Sequence, residues 1–141
     1  MKVLFFGLDY YGYATRIMRE FEELGADVRF VDLQPGSFLI KTFRTLMPTA
    51  YGRWIGAQHR RIVEETTGTA YDQVVFLQAH QMAPDTLARL RQLQPQARFA
   101  LYNWNALTTH DYLPQAANFD AVYTFDPIDA EAHGFHYLPL F

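Results

Sequence analysis

A histidine where a strand should end is the first residue in this chain that could do chemistry. His80 stands in Gln78-Ala79-His80-Gln81, directly after an apolar run. An imidazole titrating near neutrality there could act as general base or hold a substrate hydroxyl. The competing reading is a histidine bonded to the backbone of its own loop. Loops of the same kind follow the other apolar runs: Gly7-Leu8-Asp9-Tyr10-Tyr11-Gly12, then Asp32, then Asn103-Trp104-Asn105, then Phe125-Asp126. They are polar and aromatic, which suits stacking on a sugar or base and bonding its hydroxyls. Gly7, Tyr10, Tyr11, Gln78, Gln81, Asn103, Trp104 and Asn105 are therefore the candidate substrate-binding residues.

Several better-defined chemistries fail on the same residues. Asp32 lies where a dinucleotide fold keeps its acidic ribose ligand, but Tyr10 and Tyr11 fill the turn where closely spaced glycines must let backbone approach a pyrophosphate. Gly7 and Gly12 have the separation of a phosphate loop, yet Tyr13-Ala14 replaces the Lys-Ser/Thr pair. A phosphoacceptor receiver is excluded because the third strand ends in Gln78 instead of Asp. His133 and His136 have no further ligand at zinc spacing, so neither a metal nor another cofactor is expected. Asp126 before Pro127 reads as a helix N-cap, and no Gly-x-Ser-x-Gly elbow occurs.

What positions these loops is an alternation of short apolar runs with helical spacing, the pattern of crossover units feeding a parallel sheet. Strands are expected at 2–6, 27–31, 73–77, 98–102 and 121–124, with a short sixth at 136–138. Ala14, Ile17, Met18, Phe21 and Leu24 mark one helix, stopped by Gly25. Leu87, Leu90 and Leu93 mark another, with Pro84 in its first turn, and a shorter helix is expected from Pro127 to Ala132. The predicted fold is α/β, Rossmann-like and doubly wound: a mainly parallel sheet of five to six strands, with ligands in the crevice beyond the strands' carboxyl ends.

Between Leu33 and Gly68 the chain is too long for a one-helix crossover; Pro35-Gly36 and Pro48 read as breaks, and two helices are expected, 38–47 and 51–66. From Leu33 to Val63 this insertion has no Asp or Glu, while Lys41, Arg44, Arg53, Arg60 and Arg61 interleave with Phe38, Phe43, Tyr51 and Trp54. Three readings stand: ordinary core for the apolar faces Leu39, Phe43, Leu46, Met47 and Tyr51, Trp54, Ile55, Ile62; contact of the arginines and Trp54 with a membrane surface; or capture of an anionic acceptor.

With 141 residues, half of them hydrophobic and 19% charged, the chain is expected to be a single folded domain, 1–141. It has no cysteine, so disulfides, thiolate metal sites and a cysteine nucleophile are ruled out. A net charge of -3 argues against nucleic acid as partner. No apolar run approaches a membrane span and the opening residues enter a strand, so a cytoplasmic setting is expected, extending to the inner face of the membrane if the basic insertion meets lipid.

Leu101-Tyr102-Asn103-Trp104-Asn105, Phe119 to Asp126, Asp129-Ala130 and Tyr137 to Phe141, together with Tyr71 to Phe76 and Gln78 to Gln81, resemble the amino-terminal domain of CgeB-like glycosyltransferases. These are bacterial enzymes of GT-B architecture, often linked to surface polysaccharide. The resemblance implies an acceptor-binding lobe, with a nucleotide-sugar donor held by a second lobe beyond Phe141 and no activity without it. It further implies a glycan or lipid-linked acceptor whose hydroxyl is deprotonated by His80 or Asp9. The family tends to carry Asp after the Trp; Asn105 stands here, and an amide cannot serve as a carboxylate base.

Overall fold

The structure is a computed structural model, and it describes residues 1–140; Phe141, part of the run that carries the resemblance, lies outside the described residues. The strands are β1 (Lys2–Gly7), β2 (Asp27–Asp32), β3 (Gln73–Leu77), β4 (Arg98–Asn103), β5 (Ala121–Thr124) and β6 (His136–Tyr137). They form one six-stranded sheet in the order β2-β1-β3-β4-β5-β6, every neighbouring pair parallel. The fold is thus the α/β, doubly wound, Rossmann-like one. Side chains of β1 alternate between two cores, as the pleat requires. Val3 and Phe5 meet Ala14, Ile17, Met18 and Phe21 on one face. Leu4 and Phe6 join Leu33, Val63, Phe76, Leu87, Leu90 and Leu101 on the other. Burial on both faces is why β1 and β3 read as nearly continuous apolar runs.

The helices are α1 (Tyr13–Glu23), α2 (Phe38–Leu46), α3 (Pro48–Glu64), α4 (Pro84–Leu93), α5 (Leu113–Ala116) and α6 (Pro127–His133). Helix α3 starts three residues before the expected boundary, because Pro48 needs no amide partner in a first turn and so opens the helix instead of breaking the chain. The Asp126 carboxylate caps α6 by accepting from the amides of Ile128 and Asp129, and Gly134 stops that helix at φ 68. Buried His59 of α3 donates from Nε2 to the Leu33 carbonyl at 2.9 Å, tying the insertion to the end of β2. The core reading of α2 needs correction. Phe43 packs edge-on against Tyr51 and Trp54, but Leu39, Leu46 and Met47 are exposed, since only one flank of this helix faces α3. Among the described residues no helix is long and apolar enough to cross a membrane.

Candidate functional site

From β1 the chain moves outward to β2, and it re-enters the sheet on the other side of β1 as β3. The switch point therefore opens between the loops after β1 and β3, the place where open parallel sheets bind ligands. Gly7 ends β1 and its carbonyl accepts from Leu33. Asp9 then accepts from the amide of Thr15 at 3.3 Å and from its hydroxyl at 2.9 Å, so its carboxylate is held by the first turn of α1. Tyr11 sits at φ 54 with 93% of its surface exposed, and the Tyr10 hydroxyl donates to the Gln34 side chain at 3.2 Å. Asp32 accepts from the Gln34 amide at 2.9 Å. A cavity of about 130 Å³ lies here, and its walls include Asp9, Tyr10, Asp32, Lys41 and Arg44. The structure thus brings two cations of the basic insertion beside two carboxylates of the strand-end loops.

Gln78 follows β3 in a left-handed conformation, φ 66, with its amide donating to Tyr102 at 3.0 Å. His80 comes next but one. Its ring stacks on that of His110, 4.1 Å between centroids and 7° from parallel. The Gln81 amide nitrogen lies 2.8 Å from His80 Nε2. With that amide donating, the neutral ring carries its proton on Nδ1, which is buried and without a partner among the described residues. Burial, with the neighbouring His110 adding to it, pushes the His80 pKa down to about 4. Such a ring is neutral at pH 7 and a weak acceptor of protons.

Asn103 ends β4 and is wholly buried, its side-chain amide donating to the Asn105 carbonyl. Trp104 points elsewhere, meeting Tyr13 and Tyr102 edge-on with ring centroids 5.5 and 5.9 Å away. These three aromatics, with Arg16, Ile17 and Glu20 of α1, line a cleft of about 270 Å³. The indole Nε1–H is buried, with the Tyr102 side chain as the polar group beside it. Sequence reasoning missed Tyr13, Tyr102 and His110. Tyr13 belongs to the same tyrosine-rich turn as Tyr10 and Tyr11, which was the available signal; nothing local marked the other two.

The remaining candidates are dispersed. Arg53 and Arg60 are exposed, Arg61 pairs with Glu65 at 2.9 Å, and Trp54 is half-buried against Phe43 and Tyr51. A larger cavity of about 340 Å³ between α3 and α4 involves none of the strand-end loops, and its Arg89 is engaged by Glu64 at 2.7 Å. His133 stacks on Phe135 while His136 packs against Tyr123. No group of three or more potential metal ligands occurs among the described residues.

The chain is similar to a response regulator. That protein, from Burkholderia pseudomallei, was solved with a phosphorylated aspartic acid, a calcium ion and citrate; the match has a TM-score of 0.53 and 14% identity, covering 94% of this chain and 64% of that one. This chain thus spans less than two thirds of its neighbour's length, and at that identity the likeness is one of fold. No protein-family model and no curated protein matches the sequence. The expectation of a CgeB-like glycosyltransferase lobe in surface-polysaccharide synthesis is therefore corrected: no sequence relative supports it, and the structural likeness lies with a response regulator. The physical reason lies in what carried the resemblance. Tyr71 to Phe76 runs into β3, Leu101 to Asn103 is the end of β4, Ala121 to Thr124 is β5, and Asp126 is a helix cap. Those residues serve a parallel sheet whatever the sheet binds.

Proposed function

We propose that the chain is a noncatalytic binding module whose ligand is a carbohydrate or a nucleotide, held in the aromatic cleft of Tyr13, Tyr102 and Trp104. The cleft carries the reading. Aromatic faces suit the apolar side of a sugar ring or a base, and Arg16 and Glu20 stand at its rim for hydroxyls or phosphate. Nothing around it resembles a nucleophile with its base: Asp9 is held by Thr15, and His80 is a neutral ring of low basicity. A glycan, free or lipid-linked, and a nucleotide sugar are the partners this reading admits. A cytoplasmic setting belongs to the same proposal, since a chain without cysteine loses nothing in a reducing compartment.

The test uses Trp104 fluorescence in a Trp54→Phe background, titrated separately with maltotriose and with uridine monophosphate. A saturable change with either probe is expected, and Trp104→Ala should weaken binding about 5- to 150-fold, read by backbone amide shifts, because one stacked ring contributes roughly 1–3 kcal/mol. No response to sugar or nucleotide would remove the binding reading and leave a scaffold.

A further inference from the structure

Helix α2 carries an apolar face that no described residue covers. Phe38, Leu39 and Leu46 are 80%, 78% and 73% exposed, and Met47, just past the helix, is 56% exposed. Phe38, Leu39, Thr42 and Leu46 fall on one side of the helix. The threonines there turn their hydroxyls back onto the helix itself: Thr42 Oγ1 donates to the Phe38 carbonyl and Thr45 Oγ1 to the Lys41 carbonyl, each at 3.0 Å. Neither hydroxyl then needs water, so the face is apolar in effect as well as in composition.

Charge decides what could cover it. Of the twelve lysines and arginines, only Arg29, Arg61, Arg89 and Arg91 form an ion pair among the described residues, and four of the other eight, Lys41, Arg44, Arg53 and Arg60, lie on α2 and α3. Between Leu33 and Val63 the sequence supplies no Asp or Glu; Asp9 and Asp32 of the strand-end loops stand beside Lys41 and Arg44, and Arg53 and Arg60 are exposed on α3. A second copy of the chain would bring these same cations together across the contact. An anionic membrane complements both features at once, with acyl chains for the stripe and headgroup charge for the cations.

We propose that α2 docks on an anionic lipid surface, with Phe38, Leu39 and Leu46 at the headgroup boundary and Lys41 reaching up to the phosphates. The attachment is independent of the aromatic cleft, and either can fail without the other.

Sedimentation of the full chain with vesicles tests this, using phosphatidylcholine alone and phosphatidylcholine with about one third phosphatidylserine. The chain should pellet with the mixed vesicles only, and less so as salt rises. Combining Leu39→Asp with Leu46→Asp should lower the partition coefficient at least about tenfold, from the apolar area withdrawn from lipid. Leu24→Asp, at an 81% exposed leucine beyond the end of α1, should leave it unchanged. Circular dichroism checks that each variant is folded. Equal pelleting with both vesicles, none with either, or binding indifferent to the α2 pair would overturn the proposal. So would a concentration-dependent dimer that the same pair dissolves.

Discussion

Protonating His80 would place a positive charge in a half-buried site against the stacked ring of His110, which is why its pKa falls to about 4 from an ordinary 6.5. The unfolded chain takes up the proton first as pH falls, so this ring's contribution to stability is complete above the ordinary value and is lost towards pH 4. Buried His59 is shifted in the same direction and adds to the same loss. The urea midpoint should accordingly drop over that interval, and His80→Gln should make the drop shallower; ring resonances that titrate near 6.5 would contradict it. Gln78 sets a second expectation. Its amide oxygen cannot form an acyl phosphate, so incubation with acetyl phosphate and magnesium should leave the intact mass unchanged, and a gain of one phosphoryl group would refute the reading of this loop. Both residues could be assigned to strand-end loops from the apolar runs before them. Their neighbours could not, because Tyr102 reaches its place beside Leu77 only through the register of β3 and β4, and His110 arrives from a stretch without periodicity.

A different kind of contact holds the elements in place. Asp120, just before β5, accepts two 2.7 Å bonds from the Arg91 guanidinium of α4 and a third from the Phe99 amide of β4, while Arg91 lies 4.6 Å from the Phe99 ring centroid. Arg91 holds the Asp120 carboxyl below its usual pKa, with the Phe99 amide assisting. Asp120→Asn keeps the shape but removes the charge-assisted pair; it should cost about 1–2 kcal/mol by urea unfolding, discounted for partial exposure, and a neutral result would make the clamp ornamental. Strand and helix boundaries were legible where apolar periodicity was strong, as in β1 and α1. They were less so where one residue type has two meanings: Pro48 looked like a break and is a helix start. The apolar spacing of α2 was legible too, but spacing tells only that a face exists, and here α3 covers just the Phe43 side of it.

At the scale of the whole molecule, one sheet joins two cores that share β1, so neither core can be lost while the other stays intact. Unfolding followed by tryptophan fluorescence and by far-ultraviolet circular dichroism should then give coincident single transitions, and separated midpoints would divide the chain into independent units. The sheet's class could be read from the alternation of strands and helices. Its strand order could not, because the choice between left and right of β1 is made by the long crossover through α2 and α3, whose sequence carries no record of direction. That order has a consequence during synthesis. Strand β1 gains one neighbour as soon as β2 emerges, but its other edge stays open until the ribosome has made all of α2 and α3 and reached β3. At roughly 5–20 residues per second the wait lasts seconds, with Val3 to Phe6 unpaired on one side for its duration. Neighbouring ribosomes on one message would hold such edges close together, so pausing within α2 or α3 should cost soluble yield, while pausing after β3 should not.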